Sequence, residues 1–300
     1  MYLTVNKNLI FDNKENLSSF KKYLQKRYPD FSSLVILFEA TGKYSYHLKL
    51  LCAKHKIKAC IINPQASHNF AKSTGKRSKT DICDARMIWA YHKLMKDKDL
   101  RIPQVDPVLI RLSSYLTSYR LSLKQRLLLA NHLEGVKDKE LCRLLKKEQE
   151  CLCQLEQELL FRLDAYIREY PELNEDYKWL LSILAVGQKS AIGLLVLFRT
   201  YPDTNRRQIT ALLGVDPIQR QSGSSVKGRS RISKHGNQMM RKSLYMPTLV
   251  SIQYNHKIKV FYKRMVSKHK PKKLAVIATM RKLLLMAHAI YKNKTVYFPG

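Results

Sequence analysis

The chain has 300 residues, and its 55 Lys and Arg against 23 Asp and Glu give a formal net charge of +32. Because 45% of the residues are hydrophobic, the composition is that of a folded protein and excludes a disordered basic tail. Lys or Arg interrupts every apolar stretch before it reaches the roughly 18 residues that a membrane span needs. Residues 1–20 also lack the layout of a signal peptide. We therefore expect a cytoplasmic protein without a membrane span, whose partner is a polyanion such as nucleic acid.

The first third of the chain alternates predicted strands and helices. Apolar runs predict buried strands at 33–38 and 57–62, and polar–apolar patterns predict helices at 44–55 and 80–91. This alternation predicts an α/β domain with a mostly parallel sheet.

Three carboxylates occupy positions in this region where such domains bind ligands. Glu39 directly follows the first predicted strand, at the edge where α/β sheets place their ligands. Asp81 and Asp84 are three residues apart in the first turn of the helix 80–91, so they lie on one face. Together the three acids could bind Mg²⁺. The alternative is that Glu39 has no role and that the two aspartates only complement the helix dipole.

Residues 103–170 are predicted to form a helical hairpin or coiled coil. Leucines recur at intervals of three, four and seven residues in two stretches, 109–127 and 141–163, with Gly135 between them. An ordinary helical bundle would show the same periodicity, so both alternatives stay open at this point.

The last third is predicted to be mostly helical and strongly basic. From residue 217 to the end there is no Asp or Glu, against 19 Lys and Arg. Apolar patterns predict helices at 191–198, 208–213, 241–253 and 273–292. A turn at Gly187 precedes the first of these, where backbone N–H groups can approach a phosphate.

A Gly/Ser-rich segment at 221–229 interleaves small and basic residues. Such a loop can bind phosphate through its backbone or present a hydroxyl such as that of Ser222, although a serine needs a partner site to become a nucleophile. A flexible linker is the alternative. The candidate nucleic-acid contacts are Lys79, Gly187, Lys189, Lys227, Arg229, Arg231, Lys234, His235, Asn237, Arg241 and Lys242.

In this order, the motifs resemble the transposases of the insertion sequence 110 family and the related Piv-type DNA invertases. The resemblance is carried by Glu-Ala-Thr-Gly-Lys-Tyr at 39–44, Asn-Pro at 63–64, Lys-Thr-Asp-Ile-Cys-Asp-Ala at 79–85, the turn at 184–187, the helix end at 214–217, Gln-Ser-Gly at 221–223, and Lys-His-Gly-Asn at 234–237 leading to residues 241–245. It implies three regions: a RuvC-like, ribonuclease-H-type domain (1–102), a coiled-coil insert (103–170), and a helical transposase domain with a helix-hairpin-helix-like turn (171–300).

The resemblance also implies roles for individual residues. Glu39, Asp81 and Asp84 correspond to the second, third and fourth of four magnesium-binding acids, and Ser222 corresponds to a catalytic serine that attacks the DNA phosphodiester. It further implies dimers or tetramers, in which the serine of one subunit completes the acidic site of another. A bridge RNA that selects donor and target DNA is a further implied partner.

The N-terminus departs from the family pattern. The family's first acid lies in a Gly-Ile-Asp-Val-like strand that this sequence lacks, because residues 9–13 resemble the strand that follows it. We therefore expect that the chain starts downstream of the usual family start and lacks one metal ligand. Three functions stay open: a transposase or invertase, a remnant that binds nucleic acid without cutting it, and a nuclease that hydrolyses DNA through its carboxylates alone.

Overall fold

The computed structural model describes residues 2–5, 7–10, 17–28, 30–31, 34–40, 42–75, 81–95, 99–218, 221–222, 226–227 and 231–298. The chain divides into two compact units, Met1–Asp106 and Pro107–Gly300. Each unit has a hydrophobic core of its own. The described chain is mostly helical.

The first unit combines short strands with helices. Its elements are β1 (Tyr2–Val5), β2 (Lys7–Ile10), α1 (Ser18–Arg27), β3 (Val35–Glu39), α2 (Lys43–Lys54), β4 (Lys58–Ile62), α3 (Pro64–Ser73) and α4 (Asp81–His92). β1 and β2 form an antiparallel hairpin. β3 and β4 form a parallel pair whose register places Glu39 opposite Ile62. Among the described residues, parallel pairing is thus limited to these two strands.

The parallel pair is held by apolar side chains on one face. Ile36 and Phe38 alternate with less buried residues along β3, and they pack with Phe20 of α1 and Leu48 of α2 in the core. This alternation is the pattern expected of a strand with one covered face. α4 packs against both β1 and β3, so the helix that begins at Asp81 contacts the strand that ends at Glu39.

The second unit consists of long and short helices with one small group of strands. Its elements are α5 (Pro107–Leu133), α6 (Lys139–Arg168), α7 (Pro171–Leu181), α8 (Gln188–Thr200), α9 (Arg206–Leu213), β5 (Pro217–Ile218), β6 (Gln221–Ser222), β7 (Val226–Lys227), β8 (Arg231–Ile232), α10 (Gln238–Tyr254), α11 (His256–Ser267) and α12 (Lys272–Asn293).

α5 and α6 form the predicted helical hairpin. They pack along each other, and a short turn joins them, so they are antiparallel. Leu116 and Leu163 are buried within the pair. The Arg126 guanidinium lies 2.7 Å from the Glu156 carboxylate, which is itself buried. The predicted apolar stripe is buried only in part, because Leu127, Leu141 and Leu155 are exposed.

Two buried titratable groups lie in the helical core of the second unit. The Asp176 carboxylate is 6% exposed and lies 2.7 Å from Nη2 of Arg199. Burial raises the pKa of Asp176 above its ordinary value, and the Arg199 charge opposes that rise. For His288 of α12, burial lowers the pKa, and the positive charges of Lys292 and Arg206 lower it further.

α12 has the length and the apolar character of a membrane span, and no other helix of the described residues meets that test. In the structure its side chains pack into the core of the second unit, where Leu283, Leu284 and Ala287 are fully buried.

Candidate active site

Ser222 lies in a small β-hairpin between α9 and α10. β5 pairs with β8 and β6 pairs with β7, both antiparallel, so the second pair is nested within the first. Ser222 is opposite Val226 in the inner pair. We call residues 217–232 the serine hairpin. Within the predicted loop, residues 221–222 and 226–227 are thus paired, and the side chain of Ser222 lies outside the described residues.

Hydrogen bonds extend the serine hairpin beyond its strands toward the helices. The Ser233 N–H donates to the Asp216 carbonyl at 2.9 Å, and the Ser233 hydroxyl donates to the Asp216 carboxylate at 2.5 Å. The Lys234 N–H then donates to the Gly214 carbonyl at 3.1 Å, and the Asn237 N–H donates to the Leu212 carbonyl at 2.8 Å. The chain therefore enters and leaves the hairpin side by side.

Two glycines allow this close approach. A Cβ on Gly236 would lie 2.3 Å from both the Gly214 nitrogen and the Leu212 carbonyl oxygen, far inside van der Waals contact. Gly214 ends α9 with a φ of 65°, in the left-handed region that glycine tolerates best. The two segments can therefore pass at this distance only where neither carries a side chain.

Arg241, in the first turns of α10, forms hydrogen bonds with both of these segments. Its Nη1 donates to the Leu213 carbonyl at 2.6 Å and to the Gly236 carbonyl at 3.0 Å. From the sequence, Arg241 is predicted to contact nucleic acid, and these two bonds could not be foreseen from it. The only sequence signal for them is the pair of glycines on either side of the serine hairpin.

The remaining candidate nucleic-acid contacts lie mostly on the surface. Exposed residues near the base of the serine hairpin are Arg231, Lys234, His235, Asn237 and Lys242. Of these, Asn237 also caps α10, because its side-chain oxygen accepts a hydrogen bond from the Met240 N–H at 3.1 Å. Lys79, Arg229 and the side chain of Lys227 lie outside the described residues.

The turn between α7 and α8 presents a helix N-terminus. Gly187 caps α8, and its carbonyl accepts the N–H groups of Ser190 and Ala191 at 3.0 and 2.9 Å. No described atom lies within 4 Å of the position that a Cβ on Gly187 would take. Lys189 is exposed in the first turn, with its Nζ 5.5 Å from the centre of the Tyr119 ring. The N-terminus of a helix can bind an anion, and a phosphate contact at this turn stays a prediction.

The three predicted metal ligands lie on two elements in mutual contact. Glu39 is half-buried at the end of β3, and the backbone pairing with β4 continues past it, through the Ala40 N–H and the Ile62 carbonyl at 3.0 Å. Asp84 is exposed on α4, and the side chain of Asp81 lies outside the described residues. Among the side chains that the structure describes, no three His, Cys, Asp or Glu gather closely enough to bind a metal ion. Convergence of the three acids stays a prediction.

Comparison with known proteins identifies the chain. Residues 4–136 match a transposase family model of the DEDD type of IS110, and residues 177–263 match the model described as the transposase IS116/IS110/IS902 family. Pilin gene-inverting proteins from Moraxella bovis and Moraxella lacunata are each 29% identical over 288 residues, which cover 94% of this chain and 87% of each relative.

The two matches define the class of the protein, a DNA transposase or recombinase. The chain belongs to the IS110 family of transposases, as its motifs indicated. The first match spans the three acids of the first unit, and the second spans the whole serine hairpin together with Arg241.

Proposed function

We propose that this protein cuts and rejoins DNA strands to move an insertion element, with Ser222 as the nucleophile. The observation that carries the proposal is the pairing of Ser222 with Val226 in the inner strand pair, between α9 and α10. The hairpin lies in a segment that contains no acid from residue 217 onward, and its base is lined by exposed Arg231 and Lys234. A basic segment of this kind attracts the phosphate backbone of DNA.

The reaction needs one covalent exchange at phosphorus. The Ser222 Oγ forms a bond to the phosphorus, and the bond from phosphorus to one of its two deoxyribose oxygens breaks. The proton that leaves Oγ ends on that oxygen, which becomes a free hydroxyl. Because one phosphate ester replaces another, the serine-linked strand can be rejoined by attack of a different DNA hydroxyl, which returns the proton to Oγ.

We further propose that Glu39, Asp81 and Asp84 hold a divalent cation, with Mg²⁺ as the expected ion. Three carboxylates are the donor set that hard cations prefer, and contact between β3 and α4 supports their proximity. When bound, the cation would stabilise the negative charge that develops on the phosphoryl oxygens. The DEDD-type match supports a RuvC-like, ribonuclease-H-type fold for the first unit.

The proposed partners are DNA, a bridge RNA and further copies of the chain. The family resemblance supports dimers or tetramers, in which the serine of one subunit completes the acidic site of another. The net charge of +32 supports the binding of two nucleic acids, a guide and a target.

Recombination in a bacterial host tests the proposal. A plasmid carries the gene with its genomic flanks, and sequencing across new DNA junctions measures their frequency. We expect Ser222→Ala and Glu39→Gln to reduce junctions by at least about 100-fold. Ser224→Ala removes a neighbouring hydroxyl from the same loop and should leave the frequency unchanged.

Two other outcomes would replace the proposal. DNA cutting that persists in Ser222→Ala indicates a nuclease that works through its carboxylates alone. A wild-type chain that binds DNA and yields neither cuts nor junctions is a binding remnant.

Site-specific inversion is the second candidate function. The observation that favours it is the 29% identity to the pilin gene-inverting proteins along 94% of the chain. The same sequencing experiment separates the two functions. Inversion reverses the segment between two fixed junctions, whereas transposition joins the element to new flanking DNA.

A further inference from the structure

We propose that Arg241 is a positioning residue, which fixes the serine hairpin to the core of the second unit. This role rests on the proposed function of Ser222, because the hairpin is the element that carries that serine. It also differs from the phosphate contact that the sequence alone suggested for Arg241.

One nitrogen atom of Arg241 makes two hydrogen bonds. Both hydrogens of Arg241 Nη1 are used, one by the carbonyl of Leu213 and one by that of Gly236. Leu213 is the last residue of α9, before the chain enters the serine hairpin, and Gly236 lies after the chain has left it. A single charged group therefore ties the two ends of the hairpin together, through bonds stronger than those of neutral donors.

Arg241 lies on a helix, α10, that packs into the core of the second unit. α10 has Met240 and Leu244 buried in the core on either side of the arginine in sequence. Its N-terminus is capped by Asn237. The guanidinium is thus anchored to packed structure rather than to a surface loop.

Gly214 and Gly236 leave no room for a side chain beside the Arg241 guanidinium. A Cβ on Gly214 would lie 2.8 Å from Arg241 Nη1 and 2.6 Å from the Gly236 nitrogen. A side chain at Gly214 would therefore displace the guanidinium, and one at Gly236 would separate the two segments that the guanidinium joins. Both glycines therefore leave the space in which Arg241 makes its two hydrogen bonds, which we call the clamp.

The two bonds of Arg241 matter because they lie at the base of the serine hairpin, where β5 and β8 connect it to α9 and α10. A tilt of β5 and β8 at this base would displace the inner strand pair, and Ser222 with it. A misplacement of about 1 Å can cost about 100-fold in rate. Arg241 would then act on the reaction without touching DNA.

The test compares Arg241→Met, which removes both donors, with Arg241→Lys, which keeps the charge and a nitrogen with enough hydrogens for both carbonyls. Arg162→Met is the matched control, because Arg162 is an exposed arginine of α6 paired with Glu158. Three quantities are measured: amide hydrogen exchange in peptides of residues 212–241, affinity for a mixed-sequence DNA duplex, and recombination frequency from the plasmid with genomic flanks.

For Arg241→Met we expect exchange at least about tenfold faster in those peptides, duplex affinity within about threefold of wild type, and recombination reduced at least about 100-fold. Arg241→Lys should recover part of both the protection and the recombination. If Arg241→Met does not fold, Gly236→Ala serves as the second variant, because it separates the segments without removing a charge.

Contrary results are equally distinct. Unchanged exchange, together with weaker duplex binding and a salt dependence reduced by about one phosphate contact, would overturn the proposal in favour of a phosphate contact. Unchanged exchange and recombination in both Arg241 variants would also overturn it. Full recombination by Ser222→Ala would refute the proposed function of the serine, while faster exchange in Arg241→Met would still show the clamp.

Discussion

Replacing Gly236 by alanine should destabilise the second unit by about 3 kcal/mol. The added Cβ would lie 2.3 Å from two backbone atoms, so the segments must separate by about 1 Å to restore normal contact. That movement strains the hydrogen bonds that Lys234 and Asn237 donate to the segment at Gly214. Overpacking of this kind costs about 1–3 kcal/mol, and each weakened hydrogen bond adds about 0.5–1.5 kcal/mol.

Peptide-resolved hydrogen exchange is the appropriate assay, because a chain with two units does not give a single unfolding transition. Gly135→Ala is the matched control, since its added Cβ would lie 3.7 Å from the His132 carbonyl oxygen, an ordinary contact. We expect its effect to stay within about 0.5 kcal/mol. A loss of less than about 0.5 kcal/mol for Gly236→Ala, or equal losses for both variants, would refute the steric argument.

Three further predictions concern charge. Arg199→Met should lower the free energy of unfolding of the second unit by about 3 kcal/mol, because it leaves the buried Asp176 carboxylate without the guanidinium 2.7 Å away. Peptide-resolved hydrogen exchange in α7 and α8 measures this loss, and unchanged exchange would contradict the prediction. The lowered pKa of His288 means that the unfolded chain takes up a proton below pH 6.5 that the folded chain resists, so stability should fall on acidification from pH 6.5 toward the folded pKa. His288→Phe should flatten this dependence of stability on pH, measured by urea unfolding of the second unit. An unchanged pH dependence would show that His288 is not the group responsible. Lys242→Ala should weaken duplex binding equally for all sequences and reduce the salt dependence by about one contact, whereas a sequence-selective loss would indicate base contacts.

Elements with a strong local pattern were predictable from the sequence. The apolar run before Glu39 became β3, and the two leucine-rich stretches became α5 and α6. Helices α4, α8, α9, α10 and α12 also lie where the pattern indicated. In each case the information is contained within one segment, because burial of one face fixes both the type of element and its orientation.

The serine hairpin and its clamp could not be predicted in this way. Its strands are only two residues long, too short to show a periodic pattern, and β5 and β8 pair residues up to 15 positions apart in the sequence. The need for glycine at 236 is set by backbone near residue 214. The two bonds of Arg241 depend on the same tertiary contact, so the sequence showed only an arginine in a basic region. The pattern of residues within one segment contains no information about such tertiary contacts.

The most direct test of the account is the chemical identity of the protein–DNA link. Trypsin cleaves after Arg220 and Lys227, which releases the peptide 221–227 from a reaction quenched with denaturant and treated with nuclease. Tandem mass spectrometry should find a nucleotide esterified to Ser222 in the wild-type chain, and none in Ser222→Ala or Glu39→Gln. A nucleotide on another residue, or recombination that continues in Ser222→Ala, would contradict the central claim that this serine carries the DNA strand.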